Sequence, residues 1–417
     1  LAGLTVAMTM IPESLSFAIL AGFPPLVGLY AAFIMGLVTA IFGGRPGLVS
    51  GGAGATVIVL IALMKSNGLE YVFAAVALAG VLQIAVGLFK LGKFIRLVPQ
   101  PVMFGFVNGL AIIIFMSQLE QFKTIVNGES VWLSGNPLFI MLGLVLLTIA
   151  IVLFFPKITK AIPASLVAII VVFGLVLGFG IETKTVADIA SISGGFPPFH
   201  IPNIEWSLAT LQLVFPYALI MASVGLTEGL LTLNLVDEIT GTKGRGNREC
   251  IAQGSANVLN GFFFGMGGCP MIAQTLVNLS AGSRARLSGI IAALTILVII
   301  LFGAPIIEQL PIAALVGVMI MVAIGTFEWI SFRIINKMPK QDIFVGVLVA
   351  VITILLHNLA LAVLIGVIIS ALVFAWESAK RIRAKKYVDE KGVKHYEIYG
   401  PLFFGSTTAF LEKFEIA

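Results

Sequence analysis

Two runs of small residues set inside apolar sequence constrain the fold most. Val49–Ser50–Gly51–Gly52–Ala53–Gly54–Ala55–Thr56 interrupts a hydrophobic stretch and hands over to Val57–Met64, which reads as helix. Gly265–Met266–Gly267–Gly268–Cys269–Pro270 does the same ahead of Met271–Leu279. In water each would be an ordinary loop. At membrane depth a broken helix exposes N–H and C=O groups that hydrocarbon cannot pair, so such breaks persist only where they line a polar cavity. The free N–H groups that open each half-helix then face an anion. The pair is expected to form two halves of one anion site.

The membrane premise rests on composition. Of the 417 residues, 59% are hydrophobic and 11% charged, against about a quarter charged in soluble domains. The 44 glycines and 18 prolines suit helices that pack through small residues. The net charge of +5 therefore bears on topology, and no nucleic-acid partner is expected. Cys250 and Cys269 offer neither a disulfide framework nor a metal cluster and read as free thiols. The chain opens at Leu1 without a charged leader and is expected to be a trimmed form.

Fourteen hydrophobic runs follow one another, at about 2–20, 25–43, 50–65, 71–90, 100–118, 136–155, 162–180, 208–234, 249–264, 270–282, 287–305, 311–328, 342–357 and 359–377. Several fall short of the roughly 20 residues of a full span. The third and tenth are the half-helices. With the start inside, the outer connections carry only Lys65, Lys123 and Lys184. The inner ones hold fourteen cations, including Arg45, Lys93, Arg96, Lys160, Arg248 and Arg286, and the tail holds eight more. Cations gather on the cytoplasmic side, which places both termini there.

An internal repeat follows from the same map. Glu13 in the first run precedes Gly51 by 38 residues, and Glu228 in the eighth precedes Gly267 by 39. Seven runs per half is odd, so the second half enters the membrane inverted, a recurrent transporter architecture. The first repeat spans 1–200 and the second 205–378, joined by an outer connection at about 181–207.

Of the 20 acids only Glu13 and Glu228 sit well inside a run. A charge there costs about 2.5–3.5 kcal/mol on insertion scales, so each needs a proton, a cation or water. Both fall on runs that the repeat makes equivalent, which favours a coupling role over a structural one. Glu228 and Thr232 share one helical face and, with backbone carbonyls, present oxygens suited to Na⁺; proton carriage fits equally well. Pro12 is expected to open the first helix so that Glu13 and Phe17 reach the cavity. Thr56 and Thr275 lie in the first turns of the half-helices, where hydroxyls can help hold an oxyanion. Gln274 would be a neutral donor beside them. No Lys or Arg lies near either start, which suits weak, reversible binding of a small ion.

Enzyme signatures are absent: there is no HExxH, Walker A or GxSxG sequence. Ser193–Gly194–Gly195 is loop composition, and His200, His357 and His395 make no metal set. Asn278–Leu279–Ser280 matches a glycosylation sequon by chance, on the cytoplasmic side.

At these residues the chain resembles the sulfate permease family. The resemblance is carried by Ala2–Val6 with Ile11–Pro12–Glu13–Ser14–Leu15–Ser16–Phe17–Ala18, and by Pro24–Pro25–Leu26–Val27–Gly28–Leu29–Tyr30. Gly43–Gly44–Arg45–Pro46, Ser50–Thr56 and Ala281–Gly282–Ser283–Arg284–Ala285–Arg286–Leu287–Ser288–Gly289 extend it. It implies an all-α polytopic membrane protein of fourteen transmembrane segments in a 7+7 inverted repeat. Segments 1–4 and 8–11 would form a core, 5–7 and 12–14 a gate, with elevator-like movement between them. The family's anion site maps onto Ala55, Thr56, Ala273, Gln274 and Thr275, and its polar positions in the first and eighth helices onto Glu13 and Glu228. Many members carry Arg where this chain has Gln274. The stretch Met266–Thr275 looks more like the bicarbonate-transporter branch, where the resemblance implies Na⁺ near Thr56, Glu228 and Thr232. Losing a fixed positive charge favours a monoanion over sulfate, whereas Ile11–Pro12–Glu13 resembles proton-coupled bacterial members.

After Trp376 the chain turns charged. Val393–Tyr399 alternates like a strand, and Gly400–Gly405 leads to a short helix at about Thr407–Phe414. This resembles the opening of the family's cytoplasmic STAS domain. Residues 379–417 are therefore expected to be a linker and a STAS beginning too short to close a core, with its apolar faces stray or packed on a partner.

The reading is of a secondary-active transporter of small inorganic anions, not an enzyme, in a bacterial inner membrane. Its best guess is Na⁺-coupled bicarbonate uptake. Alternatives are a proton-coupled sulfate or dicarboxylate symporter and an uncoupled anion channel. No cofactor is expected beyond Na⁺. Partners would be the anion, the coupling ion, membrane lipid and a second copy of the chain through the full-length STAS domain.

Overall fold

The computed structural model describes residues 2–92, 99–126, 129–159, 162–188, 195–356 and 359–414. Lys93, Arg96, Lys160, Ser193, Gly194 and His357, used above, lie outside them. Each hydrophobic run coincides with one helix of nine residues or more. These are α1 (Ala2–Leu20), α2 (Pro25–Phe42), α3 (Gly54–Asn67), α4 (Leu69–Leu88), α5 (Gln100–Leu119), α6 (Asn136–Phe154), α7 (Ala164–Phe179), α8 (Leu208–Thr240), α9 (Gly246–Phe262), α10 (Ile272–Ser280), α11 (Arg286–Phe302), α12 (Ile312–Thr326), α13 (Lys340–Leu356) and α14 (Leu359–Lys380). Among the described residues, seven helical stretches are long and apolar enough to cross a membrane by length and composition. The chain is an integral membrane protein.

Boundaries follow local chemistry. Proline at the first turn opens α2, α5 and α6, where its missing N–H is no loss. Glycines in the left-handed region close α7 (Gly180, φ 61°) and α8 (Gly241, φ 66°), which relieves the strain a side chain would meet. Two expectations are corrected. α1 runs unbroken through Pro12, so Glu13 and Phe17 reach inward from one face of a continuous helix. α8 runs on to Thr240, six residues beyond its apolar run, and in its last turns Val236 O and Thr240 accept from Arg45, which is 7% exposed.

The helices pack in two groups. α4 lies against α9 and α8, α2 against α9 and α11, and α1 against α2, α10 and α11, with α3 against α8. Separately, α5 packs on α12, α13 and α14, and α12 on α6 and α7. Among the described residues three antiparallel strand pairs accompany the helices: β1 (Ser50–Gly51) with β4 (Cys269–Pro270), β2 (Lys123–Val126) with β3 (Glu129–Trp132), and β5 (Arg383–Val388) with β6 (Lys394–Tyr399). The β2–β3 pair and strand β5 are not legible in the sequence, β2 and β3 because each is four residues long and β5 because half of it is cationic. In the tail, the short helix Thr407–Leu411 packs on α14.

Cations read above only as topology signals also clasp the two halves together. The C-terminal carbonyls of α2 lack intrahelical partners. Arg286 donates to Ala40 O (2.9 Å), Ile41 O (2.9 Å) and Gly43 O (2.6 Å), and Arg248 Nε to Phe42 O (2.8 Å). Glu249, 1% exposed and missed as a buried acid, accepts from Gly44 N–H at 2.6 Å. Arg45 pairs with Asp237 at 3.1 Å and donates to Val236 O, Thr242 and Thr240. Arg45→Met should therefore leave Asp237 to its bonds from Gly244 N–H (2.9 and 3.0 Å) and cost ~2 kcal/mol, the scale of losing hydrogen bonds to a charged group, read as a lower melting midpoint in detergent. A midpoint equal to wild type would show the clasp to be dispensable.

Candidate functional site

The two glycine-rich breaks meet. Ser50 stands opposite Pro270 and Gly51 opposite Cys269, all four buried. Close approach is why small residues are needed: any Cβ at Gly268 would overlap Gly51 O and sit 2.7 Å from Gly51 C. Since β1 and β4 are antiparallel and a helix starts within three residues of each, the starts of α3 and α10 face one crossing point. Neither start has a side-chain cap: Ala53 and Met271 occupy the N-cap positions. Their first-turn N–H groups are the unsatisfied donors that favour an anion.

Helix α8 reaches this crossing because it carries Gly225 and Gly229 on one face. A side chain at Gly229 would come within 3.1 Å of Pro270, and one at Gly225 within 3.4 Å of Thr56 Cγ2. Small residues at this spacing let backbones approach. Glu228 therefore meets the second break, where Cys269 Sγ donates to its Oε2 at 2.9 Å. From the other side α1 brings Glu13, whose carboxylate accepts from Gln274 Nε2. The two carboxyls thus approach the second break and the half-helix it opens by different routes, Glu228 through Cys269 and Glu13 through Gln274.

The predicted residues are used unequally. Phe17 is buried, its ring against Gly54. Ala55 is buried at the start of α3, whereas Ala273 is exposed at the start of α10. Thr56 Oγ1 donates to Ala53 O (2.9 Å) and Thr232 Oγ1 to Glu228 O (2.7 Å). A hydroxyl whose proton is spent on its own helix turns lone pairs outward, which suits a cation better than an anion. Thr275 accepts from Val49 N–H at 3.0 Å, and its own N–H bonds Met271 O at 3.1 Å. It ties α10 to the first break and has no free amide for an anion. Gln274 keeps an unpartnered, buried Oε1. Asn278 is fully buried and donates to Gly47 O at 2.8 Å, so the sequon is no glycan site.

Sequence reasoning passed over Cys269, Gln83, Gln253 and Asn257. Gln253, Asn257 and Asn260 recur at helical spacing within an apolar run, a polar stripe that would have marked them. Of the three, Asn257 donates to Gln83 Oε1 at 2.8 Å, and Gln83 is 0% exposed on α4. His200, apart from this site and between α7 and α8, bonds Glu70 of α4 at 2.8 Å, and His395 bonds Asp389 at 2.9 Å in the tail.

Residues 1–349 match the family model described as the sulfate permease family. YbaR of Bacillus subtilis (strain 168), assigned by name only to sulfate transport, is 38% identical over 98% of this chain and 83% of its own. The bicarbonate transporter BicA of a Picosynechococcus strain is 32% identical over 88% of this chain and 68% of its own. Among solved structures, the transmembrane domain of a cyanobacterial BicA superposes with a TM-score of 0.75 at 31% identity, covering 86% of this chain and 95% of that one. SLC26A9 shares the fold alone, with a TM-score of 0.80 at 18% identity over 99% of this chain and 73% of that one.

Proposed function

The chain belongs to the sulfate permease family of anion transporters, and from that premise we propose that it is a secondary-active transporter whose leading substrate is bicarbonate, taken up with Na⁺. The crossing of β1 and β4 carries the reading: two uncapped helix starts meet inside the protein, between two acids. An anion would bind the first-turn N–H groups of α3 and α10 without a fixed cation, which suits a monoanion. Glu228 with the outward lone pairs of Thr56 and Thr232 forms the oxygen set that fits Na⁺. Bound there, Na⁺ would supply the positive charge that Gln274 lacks. Fourteen spans in an inverted repeat, both termini cytoplasmic, and elevator movement of α1–α4 with α8–α11 against the other helices complete the proposal. So do a bacterial inner-membrane location, a STAS beginning at 379–417 and dimerisation through the full-length STAS domain.

Proton-coupled sulfate uptake is the second reading, favoured by the contact between Glu13 and Gln274 and by the assignment of YbaR. Purified protein in liposomes, given [¹⁴C]bicarbonate or [³⁵S]sulfate under separately imposed Na⁺ and pH gradients, tests both. The expected result is bicarbonate accumulation driven by an inward Na⁺ gradient. Sulfate accumulation driven by a pH gradient would select the second reading. Flux that never exceeds equilibrium would leave a channel.

A further inference from the structure

Helix α9 carries Gln253, Asn257 and Asn260 on one face, each no more than 1% exposed. Buried amides are costly without partners. Neither side-chain polar atom of Asn260 has one, whereas both of Asn257 do. Asn257 Oδ1 accepts from Gly268 N–H at 2.9 Å, while its Nδ2 donates to Gly268 O at 3.1 Å and to Gln83 Oε1 at 2.8 Å. A single carboxamide thus satisfies both backbone groups of the residue at the crossing, as a neighbouring strand would. Gly267, at φ +71°, makes the tight turn beside it, where a Cβ would stand 2.9 Å from Asn257 Oδ1. Cys269, the next residue after Gly268, places its thiol on Glu228.

We infer that Asn257, oriented by Gln83, is a positioning residue that holds Gly268 so that the second break stays crossed over the first and Cys269 stays on Glu228. Its consequence for anion affinity rests on the transport reading above; its effect on Cys269 does not. Without Asn257 the amides that open α10 lose their register with those of α3. Gln83 contributes through Asn257, since its own contact here is to that side chain.

The test uses the full chain in liposomes with two variants. Asn257→Ala removes all three contacts; Gln83→Met removes only the orienting acceptor and is the gentler change for folding. N-ethylmaleimide labelling, read by peptide mass spectrometry, compares Cys269 with Cys250, which is equally buried on α9 itself. In Asn257→Ala, Cys269 should label about tenfold faster than in wild type, the worth of one or two buried hydrogen bonds. A smaller increase is expected in Gln83→Met, with Cys250 unchanged in both. The KM for bicarbonate should rise by a similar factor. Wild-type labelling of Cys269 in either folded variant would overturn the assignment, as would Cys250 and Cys269 accelerating together, the mark of a loosened helix. Should wild-type protein move neither bicarbonate nor sulfate, the transport reading falls while the labelling still decides the role of Asn257.

Discussion

Glu228→Gln should reduce ion-driven accumulation of anion by ~100-fold, the scale of losing one charged partner in a buried site, while the protein still folds. The side chain keeps its shape, and its remaining carbonyl oxygen can still accept from Cys269 Sγ. What disappears is the negative charge that a cation or proton would neutralise beside Glu13. Accumulation against a gradient would therefore fail, whichever ion drives it. The measurement is uptake into liposomes with an imposed gradient, alongside the melting midpoint. Accumulation at the wild-type level would remove Glu228 from coupling; an unfolded variant would make it a structural acid instead.

Gly268→Ala should be nearly as damaging, for a steric reason. The added methyl would collide with the carbonyl of Gly51, which is backbone and has no rotamer to escape into. Overpacking of this kind costs about 1–3 kcal/mol even where side chains can yield. Here relief requires separating β1 from β4, and with them the starts of α3 and α10. The expected outcome is loss of transport together with a lower melting midpoint. Gly143→Ala on α6, where a Cβ meets no atom within 4 Å, is the control and should behave as wild type. If the two variants behave alike, close contact at the crossing is not what holds the site.

Much of the architecture is legible in one dimension because the bilayer leaves few alternatives. Backbone groups in hydrocarbon must be satisfied within the segment, so apolar runs became helices close to the boundaries read for them. Glycine-rich breaks in such runs had to be buried against something polar, and Glu13 and Glu228 stood out because carboxyls are rare at that depth. The tail gave less away. Its strands Arg383–Val388 and Lys394–Tyr399 are largely exposed, and only one was readable from alternation.

The partners were not legible, because a hydrogen bond across more than 150 residues leaves no trace in spacing. Thr275 reads in the sequence as a hydroxyl able to help hold an oxyanion; the fold adds that it ties α10 to Val49. Arg45, Arg248 and Arg286 were read as topology markers, yet they also satisfy open carbonyls of α2 or anchor Asp237. Asn257 and Gln83 were invisible as a pair because they come from helices 174 residues apart.

Sequence alone determined that this chain spans a membrane, where its two glycine-rich breaks fall, and which two acids lie within its apolar runs, since each follows from the cost of polar groups in hydrocarbon. Only the tertiary structure decided which donors remain free at the breaks and which are already spent. That depends on directional bonds between distant segments, and direction is fixed only when the helices pack.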